Sequence, residues 1–408
     1  MATRSISFHT TSAGLRIVHL KVPGAEVGYC GVVVRVGSRD EDKSRYGLAH
    51  FVEHTIFKGT TKRKAWHIIN RMEAVGGELN AYTTKEETVV YSAFPSGNLS
   101  RAAELIADLI TSSTFPEHEL QKEREVVADE IDSYLDTPSE AVFDDFEENI
   151  FKNSPLSHNI LGNRQSLASF SSEICRDYLA RWYVPENMVA FYAGNRSAES
   201  VFSTLEKAFA ALSGTLHPVR RQAPAAADTF NIYKVIDSHQ CHTIMGAAVG
   251  SLTSPDRYTQ ALFTNILGGP GMNSLLNVSL REKRGLVYNV EASTGLYSDC
   301  GALSIYYGCD PHDNDLCRKL VGDTISSVAD GFVSSRRLQA AKKQYLGQLV
   351  IASENIENRI LSIARQYLFT GKLNTLAQIT EAINEIGTDD IKEFAAGLRL
   401  SSITLGPR

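Results

Sequence analysis

The sequence predicts an α+β fold with two homologous domains, each a mostly antiparallel β-sheet with helices packed on one face. Its 408 residues exceed the usual size of one domain. Strand-like segments open both halves of the chain, and helical periodicity follows them. A Gly-Ser pair also follows an early strand in each half, at Gly37-Ser38 and Gly250-Ser251, 213 residues apart. One α+β unit used twice accounts for these features.

The elements are expected in the following order. In the first half, apolar patterning predicts strands at 15–20 and 27–36, then helices at 98–113 and 116–131. In the second half it predicts strands at 230–236 and 242–249, helices at 336–353 and 356–368, and a last strand at 401–405.

The boundary between the halves is predicted from composition. Apolar periodicity stops at residues 213–228, where Pro, Gly, Ala and Arg dominate. Such a segment is typical of an interdomain linker. We therefore expect one domain at residues 1–212, the linker at 213–228 and a second domain at 229–408.

Charge and composition exclude several classes of protein. The chain has 41 Lys and Arg residues against 47 Asp and Glu residues, a net charge of −6, so no overall positive field attracts nucleic acid or an anionic membrane. The N-terminal residues lack the apolar run of a signal peptide, and no segment approaches the ~20 apolar residues that span a bilayer. The six cysteines form no CxxC pair, which argues against a zinc knuckle. We expect no nucleic-acid partner, no membrane insertion and a cytoplasmic location.

Residues 47–54, Gly-Leu-Ala-His-Phe-Val-Glu-His, contain a metal-binding pattern. On a helix, His50 and His54 lie about 40° apart, so both imidazoles can bind one metal ion. Glu53 lies beside them and can take a proton from water on that metal. The alternative is a pair of ordinary helix histidines beside an exposed glutamate. A hydrolytic zinc site also needs a third protein ligand from elsewhere in the chain.

The helix predicted from residue 116 contains carboxylates for that third ligand. Its apolar positions at 120, 127 and 131 mark the buried side, and two of its acids lie seven residues apart near that side. Ion pairing with Lys122 or Arg124 is the alternative explanation for these acids. The residue pattern alone leaves four candidates: Glu123, Glu125, Asp129 and Glu130.

With these motifs, the sequence resembles the pitrilysin-type inverzincin metallopeptidases, which include mitochondrial processing peptidase, insulin-degrading enzyme and small bacterial homologues. Their HxxEH order matches residues 50–54, and a glutamate 76 residues after the second histidine is similar to the family spacing. The resemblance implies that His50, His54 and Glu130 bind one zinc ion per chain. It also implies that Glu53 is the general base and that Glu123 supports activity without binding the metal.

The resemblance extends to two segments that bind substrate. Residues 76–83 are similar to the family's edge strand, in which backbone groups of Asn80 and Ala81 pair with an extended peptide. The alternative is an ordinary hairpin strand paired with 88–94. In the second half, Arg281 and Tyr288 match an arginine and a tyrosine, seven residues apart, that contact substrate near the scissile bond. The glycine cluster before them lacks the Lys-Ser/Thr of a phosphate-binding loop.

The family relationship implies a zinc metalloendopeptidase in which two chains enclose a chamber for extended peptides. Residues 1–212 are then the catalytic zinc-binding domain and residues 229–408 the substrate-clamping domain, with Arg281 and Tyr288 facing the zinc of the other subunit. We expect a homodimer, with one subunit of a heterodimeric processing peptidase as the alternative. A non-catalytic peptide-binding subunit and a zinc hydrolase of non-peptide amides are further alternatives, and Mn²⁺ or Co²⁺ suits the same ligands.

Overall fold

The computed structural model describes residues 5–216, 221–225 and 228–408 of the chain. Its strands are β1 Ser5–Thr10, β2 Arg16–Lys21, β3 Val27–Val34, β4 Glu78–Thr83, β5 Thr88–Pro95, β6 Met188–Gly194, β7 Asn231–Val235, β8 Cys241–Val249, β9 Val287–Leu296, β10 Gly301–Cys309 and β11 Ser401–Gly406. Its helices are α1 Leu48–Thr55, α2 Ala65–Glu73, α3 Leu99–Ser112, α4 Glu117–Leu135, α5 Pro138–Ile150, α6 Arg164–Leu167, α7 Ser172–Trp182, α8 Ala198–Ala208, α9 Arg257–Gly268, α10 Asn314–Ala329, α11 Ser335–Ala352, α12 Ile356–Thr370, α13 Leu376–Glu385 and α14 Thr388–Gly397.

The described strands form two sheets of the same topology, which confirms the predicted α+β fold built from two related halves. The first sheet has the order β1-β2-β6-β3-β5-β4, and the second has the order β7-β11-β8-β10-β9. If β1 is set aside, each strand of the first sheet has a counterpart in the second. Even the parallel pair is repeated, as β2 with β6 and β7 with β11, while the other neighbours are antiparallel.

The chain divides into two compact units, each built around one sheet. The first unit contains residues 1–131, 158–221 and 352–373, and the second contains residues 132–157, 222–351 and 374–408. These units do not coincide with the ranges 1–212 and 229–408, because α5 belongs to the second unit and α12 to the first. The linker predicted at 213–228 lies partly outside the described residues, at 217–220 and 226–227.

The first sheet is covered on both faces by helices. Side chains of β3 alternate, so that Val32 and Val34 pack on one face with α1, α3 and α4, while Val33 packs on the other. On that second face, Ile360 and Leu368 of α12 complete the apolar core. Helix α1, which contains the histidine motif, therefore packs in the apolar core of the first unit.

The second sheet repeats this arrangement. Leu303 and Ile305 of β10 pack with α9, α10 and α14 on one face. Tyr306, the residue after Ile305, faces the other side, where it packs with Phe146 and Ile150 of α5. Each sheet therefore has several helices on one face and a helix from the other half of the sequence on the second face.

The predicted helices lie within a few residues of the observed ones, except that α4 continues to Leu135. The buried positions of α4 end at Ile131, where the first compact unit also ends. Residues 132–135 belong to the second unit, and Leu135 is exposed. The apolar periodicity that predicted the helix therefore stops before the helix does. Among the helices that the structure describes, none combines the length and apolar content needed to cross a bilayer.

Candidate metal centre

Helix α1 positions the histidine pair. It is eight residues long, and Leu48, Phe51 and Val52 bury one side of it in the core. His50 and His54 lie one turn apart on the side that faces α4. Because the apolar side of α1 packs in the core, both imidazoles point toward α4.

The two histidines and Glu130 of α4 form a triangle of possible ligand atoms. Nε2 of His50 lies 3.1 Å from Nε2 of His54, and Oε2 of Glu130 lies 3.4 Å from His54 Nε2 and 3.6 Å from His50 Nε2. Zinc bonds to nitrogen and oxygen of about 2.0–2.1 Å in a tetrahedron put neighbouring ligand atoms about 3.3 Å apart. The donor set and its spacing therefore fit a tetrahedral zinc ion with the fourth position open.

His50 has the charge state that a metal ligand requires. Burial, with a smaller effect from His54, lowers the pKa of His50 to about 3. The imidazole is therefore neutral at physiological pH and keeps a lone pair for a cation. Glu130 lies at the open side of the site, where 44% of its side chain is exposed.

Glu123 lies beside the triangle, on the far side of His54. Its Oε1 is 3.2 Å from Nδ1 of His54, and its Oε2 is 2.6 Å from Nζ of Lys58. Burial opposes ionisation, but the bonds from His54 and Lys58 hold the pKa of Glu123 below its ordinary value. The ionised carboxylate can only accept, so Nδ1 of His54 donates to it and Nε2 faces the triangle with its lone pair.

Net negative charge surrounds His54. Burial alone lowers the pKa of His54, but the bond to Glu123 and the charges of Glu130 and Glu53 outweigh it and raise the pKa above the ordinary value. The charges that stabilise a proton here stabilise a metal cation in the same way.

Glu53 is half-buried between the triangle and strand β4. Burial raises its pKa, the charge of Glu130 adds to this, and the charge of His54 acts in the opposite direction. A carboxylate with a raised pKa binds a transferred proton more strongly than an exposed glutamate does. The arrangement suits a general base that later returns its proton.

Strand β4 lies at the edge of the first sheet. Asn80 and Ala81 face Tyr91 and Val90 of β5, and no described strand pairs with the other side of β4. Its outer backbone groups are therefore free to pair with an extended peptide.

Arg281 and Tyr288 belong to the second compact unit. Arg281 lies in the π-helix Asn277–Glu282 and forms an ion pair of 3.0 Å with Glu282. Tyr288 lies near the start of β9, the edge strand of the second sheet, and 86% of it is exposed. Both side chains are on the surface of their unit, where they can meet another molecule.

Sequence reasoning missed Lys58. The cations that it considered for the acids of α4 have other partners, since Arg124 pairs with Glu117 at 2.6 Å and Lys122 lies near Glu119 at 3.5 Å. The spacing of Lys58, four residues after His54, was an available signal, because it places the ammonium on the same helical side.

The described residues contain a second group that could hold a metal, formed by Asp310, His312 and Asp313. It occupies a short turn before α10, and 77% of the His312 side chain is exposed. His312 is already within 3.4 Å of Asp313. Exposed acidic turns of this kind are common without a metal.

Comparison with known proteins gives concordant findings. Residues 16–164 match the family described as insulinase (peptidase family M16), and residues 169–345 match the family described as peptidase M16 inactive domain. An uncharacterized zinc protease of Mycobacterium leprae (strain TN) is 30% identical over 98% of this chain and 91% of the relative. One of Bacillus subtilis (strain 168) is 30% identical over 96% of this chain and 95% of the relative. A crystal structure from Pseudomonas fluorescens, described as a peptidase M16 inactive domain, has the same fold, with a TM-score of 0.92 at 18% identity over 99% of this chain and 98% of that one.

Proposed function

The chain belongs to peptidase family M16, the insulinase and pitrilysin family of zinc proteases, and from this membership we propose that it is a zinc-dependent endopeptidase acting on extended peptides. The observation that carries the proposal is the triangle of His50, His54 and Glu130 with Glu53 beside it. One zinc ion per chain is proposed, held in the first half. The match of residues 169–345 to a family described as an inactive domain supports this stoichiometry.

His50, His54 and Glu130 are proposed to hold the metal. Zinc at this position supplies a Lewis acid that polarises a peptide carbonyl and makes a water molecule acidic near neutral pH. Glu123 and Lys58 orient His54 through its Nδ1 and stay outside the triangle.

Glu53 is proposed to move the proton. Its carboxylate takes a proton from the attacking water as the new C–O bond forms, and it delivers that proton to the peptide nitrogen as the C–N bond breaks. No side chain forms a covalent bond with the substrate in this scheme.

Strand β4 is proposed to bind the substrate. Backbone groups of Asn80 and Ala81 pair with a peptide strand, which explains binding with little dependence on side-chain identity. Arg281 and Tyr288 are proposed to donate hydrogen bonds to the peptide carbonyl and the developing oxyanion. Residues 1–212 are then the catalytic half and residues 229–408 the clamping half. We further propose a homodimer with a closed chamber and a cytoplasmic location.

Cleavage of a quenched fluorescent peptide library by wild type, Glu53→Gln and Glu125→Gln tests this function, with the zinc content of each determined. Glu125 is an exposed acid of the same helix as Glu130, so Glu125→Gln is the matched control. We expect one zinc per chain in all three and a loss of activity of about 10²–10⁴-fold only in Glu53→Gln. Activity of the wild type must also disappear with a chelator.

Other outcomes contradict the proposal in different ways. A wild type that binds zinc but cleaves nothing favours a non-catalytic subunit, or a heterodimer if a partner restores cleavage. A wild type without zinc overturns the ligand assignment, and an active Glu53→Gln overturns the role of the base.

A further inference from the structure

The N-terminus of α1 has an unusual cap. Residue 47, the last before the helix, is a glycine in the left-handed conformation, with φ of 94° and no side chain to accept from the first turn. A Cβ atom at this position would lie 2.5 Å from the carbonyl oxygen of Leu161. The usual Ser, Thr, Asp or Asn cap is therefore sterically impossible here.

Glu41 supplies the missing cap from six residues upstream. Its Oε1 accepts from the backbone N–H of Ala49 at 2.6 Å, and its Oε2 accepts from the N–H of Gly47 at 2.9 Å. Two of the N–H groups that every helix start leaves without partners are satisfied in this way. The partial positive charge at the helix N-terminus faces the same carboxyl group.

The Glu41 side chain is itself held on all sides. It has no exposed surface, and Nε2 of His158 lies 3.2 Å from its Oε2. The His158 ring stacks on Tyr46 at 3.6 Å with an interplanar angle of 5°. Next to Glu41 in sequence, Asp40 accepts from Nε and Nη2 of Arg221 at 2.9 and 2.8 Å. The cap cannot shift without breaking these contacts.

We infer that Glu41 is a positioning residue that sets the ligand geometry of His50 and His54 by fixing the start of α1. The helix has only two turns, and His50 is its third residue, one position after the capped N–H of Ala49. Metal sites lose affinity when a ligand moves by a few tenths of an ångström. This inference rests on the proposed zinc site, and Glu41 itself touches neither substrate nor metal.

Zinc affinity of the full-length protein, measured by competition with a chromophoric chelator at 20 °C, tests the inference. We expect Glu41→Leu, which removes both acceptor oxygens, to weaken zinc binding about tenfold or more. Glu41→Gln keeps one acceptor for Ala49 and should lie between Glu41→Leu and wild type. If Glu41→Leu does not fold, the comparison of Glu41→Gln with wild type decides.

Glu87 provides the matched control. Its carboxyl group is also buried in the first unit, 3.2 Å from Arg365. Within the described residues it forms no hydrogen bond or ion pair with α1. Glu87→Leu should lower the melting temperature of the metal-free protein and leave zinc affinity unchanged. A smaller zinc-induced rise in melting temperature is expected only for the Glu41 variants.

Zinc affinities within twofold of wild type in the Glu41 variants, with a lowered melting temperature, would overturn the inference, since Glu41 would then only stabilise the fold. The proposed function fails separately, if the wild-type protein does not bind zinc or if His50→Ala binds it equally well.

Discussion

At the residue scale, Lys58 helps to keep Glu123 ionised. The ammonium lies 2.6 Å from one oxygen of a carboxylate whose other oxygen accepts from His54. Burial favours the neutral acid, which can donate to Nδ1 as well as accept from it, and the bonds from His54 and Lys58 together outweigh burial. Lys58 therefore acts on the proposed ligand His54 through one intermediate side chain.

Replacement of Lys58 by Met is expected to weaken zinc binding about tenfold and to lower kcat/KM with it. The reason is that Glu123 loses one of the two bonds that keep it ionised, so it holds His54 in one tautomer less firmly. Chelator competition and peptide cleavage measure the two effects. Lys122→Met, which removes an exposed cation near Glu119, is the control and should behave as wild type. Unchanged zinc affinity in Lys58→Met would show that Glu123 orients His54 unaided.

At the scale of the element, α1 depends on a carboxyl group whose proton affinity is altered by the fold. Burial raises the pKa of Glu41 to about 8 from an ordinary value of 4.5, although bonds from Ala49 and Gly47 act against this rise. The folded protein therefore keeps a proton here that the unfolded chain releases. Nε2 of His158 lies 3.2 Å from Oε2 of the same carboxyl group.

This difference predicts a pH dependence of stability. Between pH 4.5 and 8 the folded state binds one more proton than the unfolded state at Glu41, so the free energy of unfolding decreases as pH rises, by at most about 1.4 kcal/mol per pH unit. Above pH 8 Glu41 is ionised in both states, so it causes no further decrease in the free energy of unfolding. Urea unfolding of metal-free wild type and Glu41→Gln from pH 5 to 9 measures it, and the wild-type curve should fall more steeply. Parallel curves would contradict a raised pKa.

At the scale of the whole molecule, each half of the sequence provides one helix to the sheet of the other half. Helix α12 packs on the first sheet, where Tyr91 donates to Glu357 at 2.6 Å and Arg365 pairs with Glu87. Helix α5 packs on the second sheet through Phe146. Neither sheet has both faces covered by its own half of the sequence alone.

Residues 1–212 expressed alone should therefore fail to fold cooperatively. One face of the first sheet, including Val33, Val89 and Phe191, would be exposed without α12. We expect binding of a hydrophobic dye and no sharp thermal transition by circular dichroism. Coexpression with residues 213–408 is the control and should restore the transition. A cooperative transition of 1–212 alone would show that the first sheet is stable without α12.

The sequence by itself determined the local structure of this protein and the order of its strands and helices. The 3.6-residue repeat places His50 and His54 on one side of a helix, and the repeated order of strands and helices predicts two related sheets. The residue pattern of α4 did not distinguish which of four acids is the third ligand. The family resemblance selected Glu130. The tertiary structure brings Glu130 to the histidines and Glu123 to the far side of His54. It also decided the roles of Glu41, Lys58 and α12, because these depend on contacts between segments distant in the chain, which periodicity along one segment does not encode.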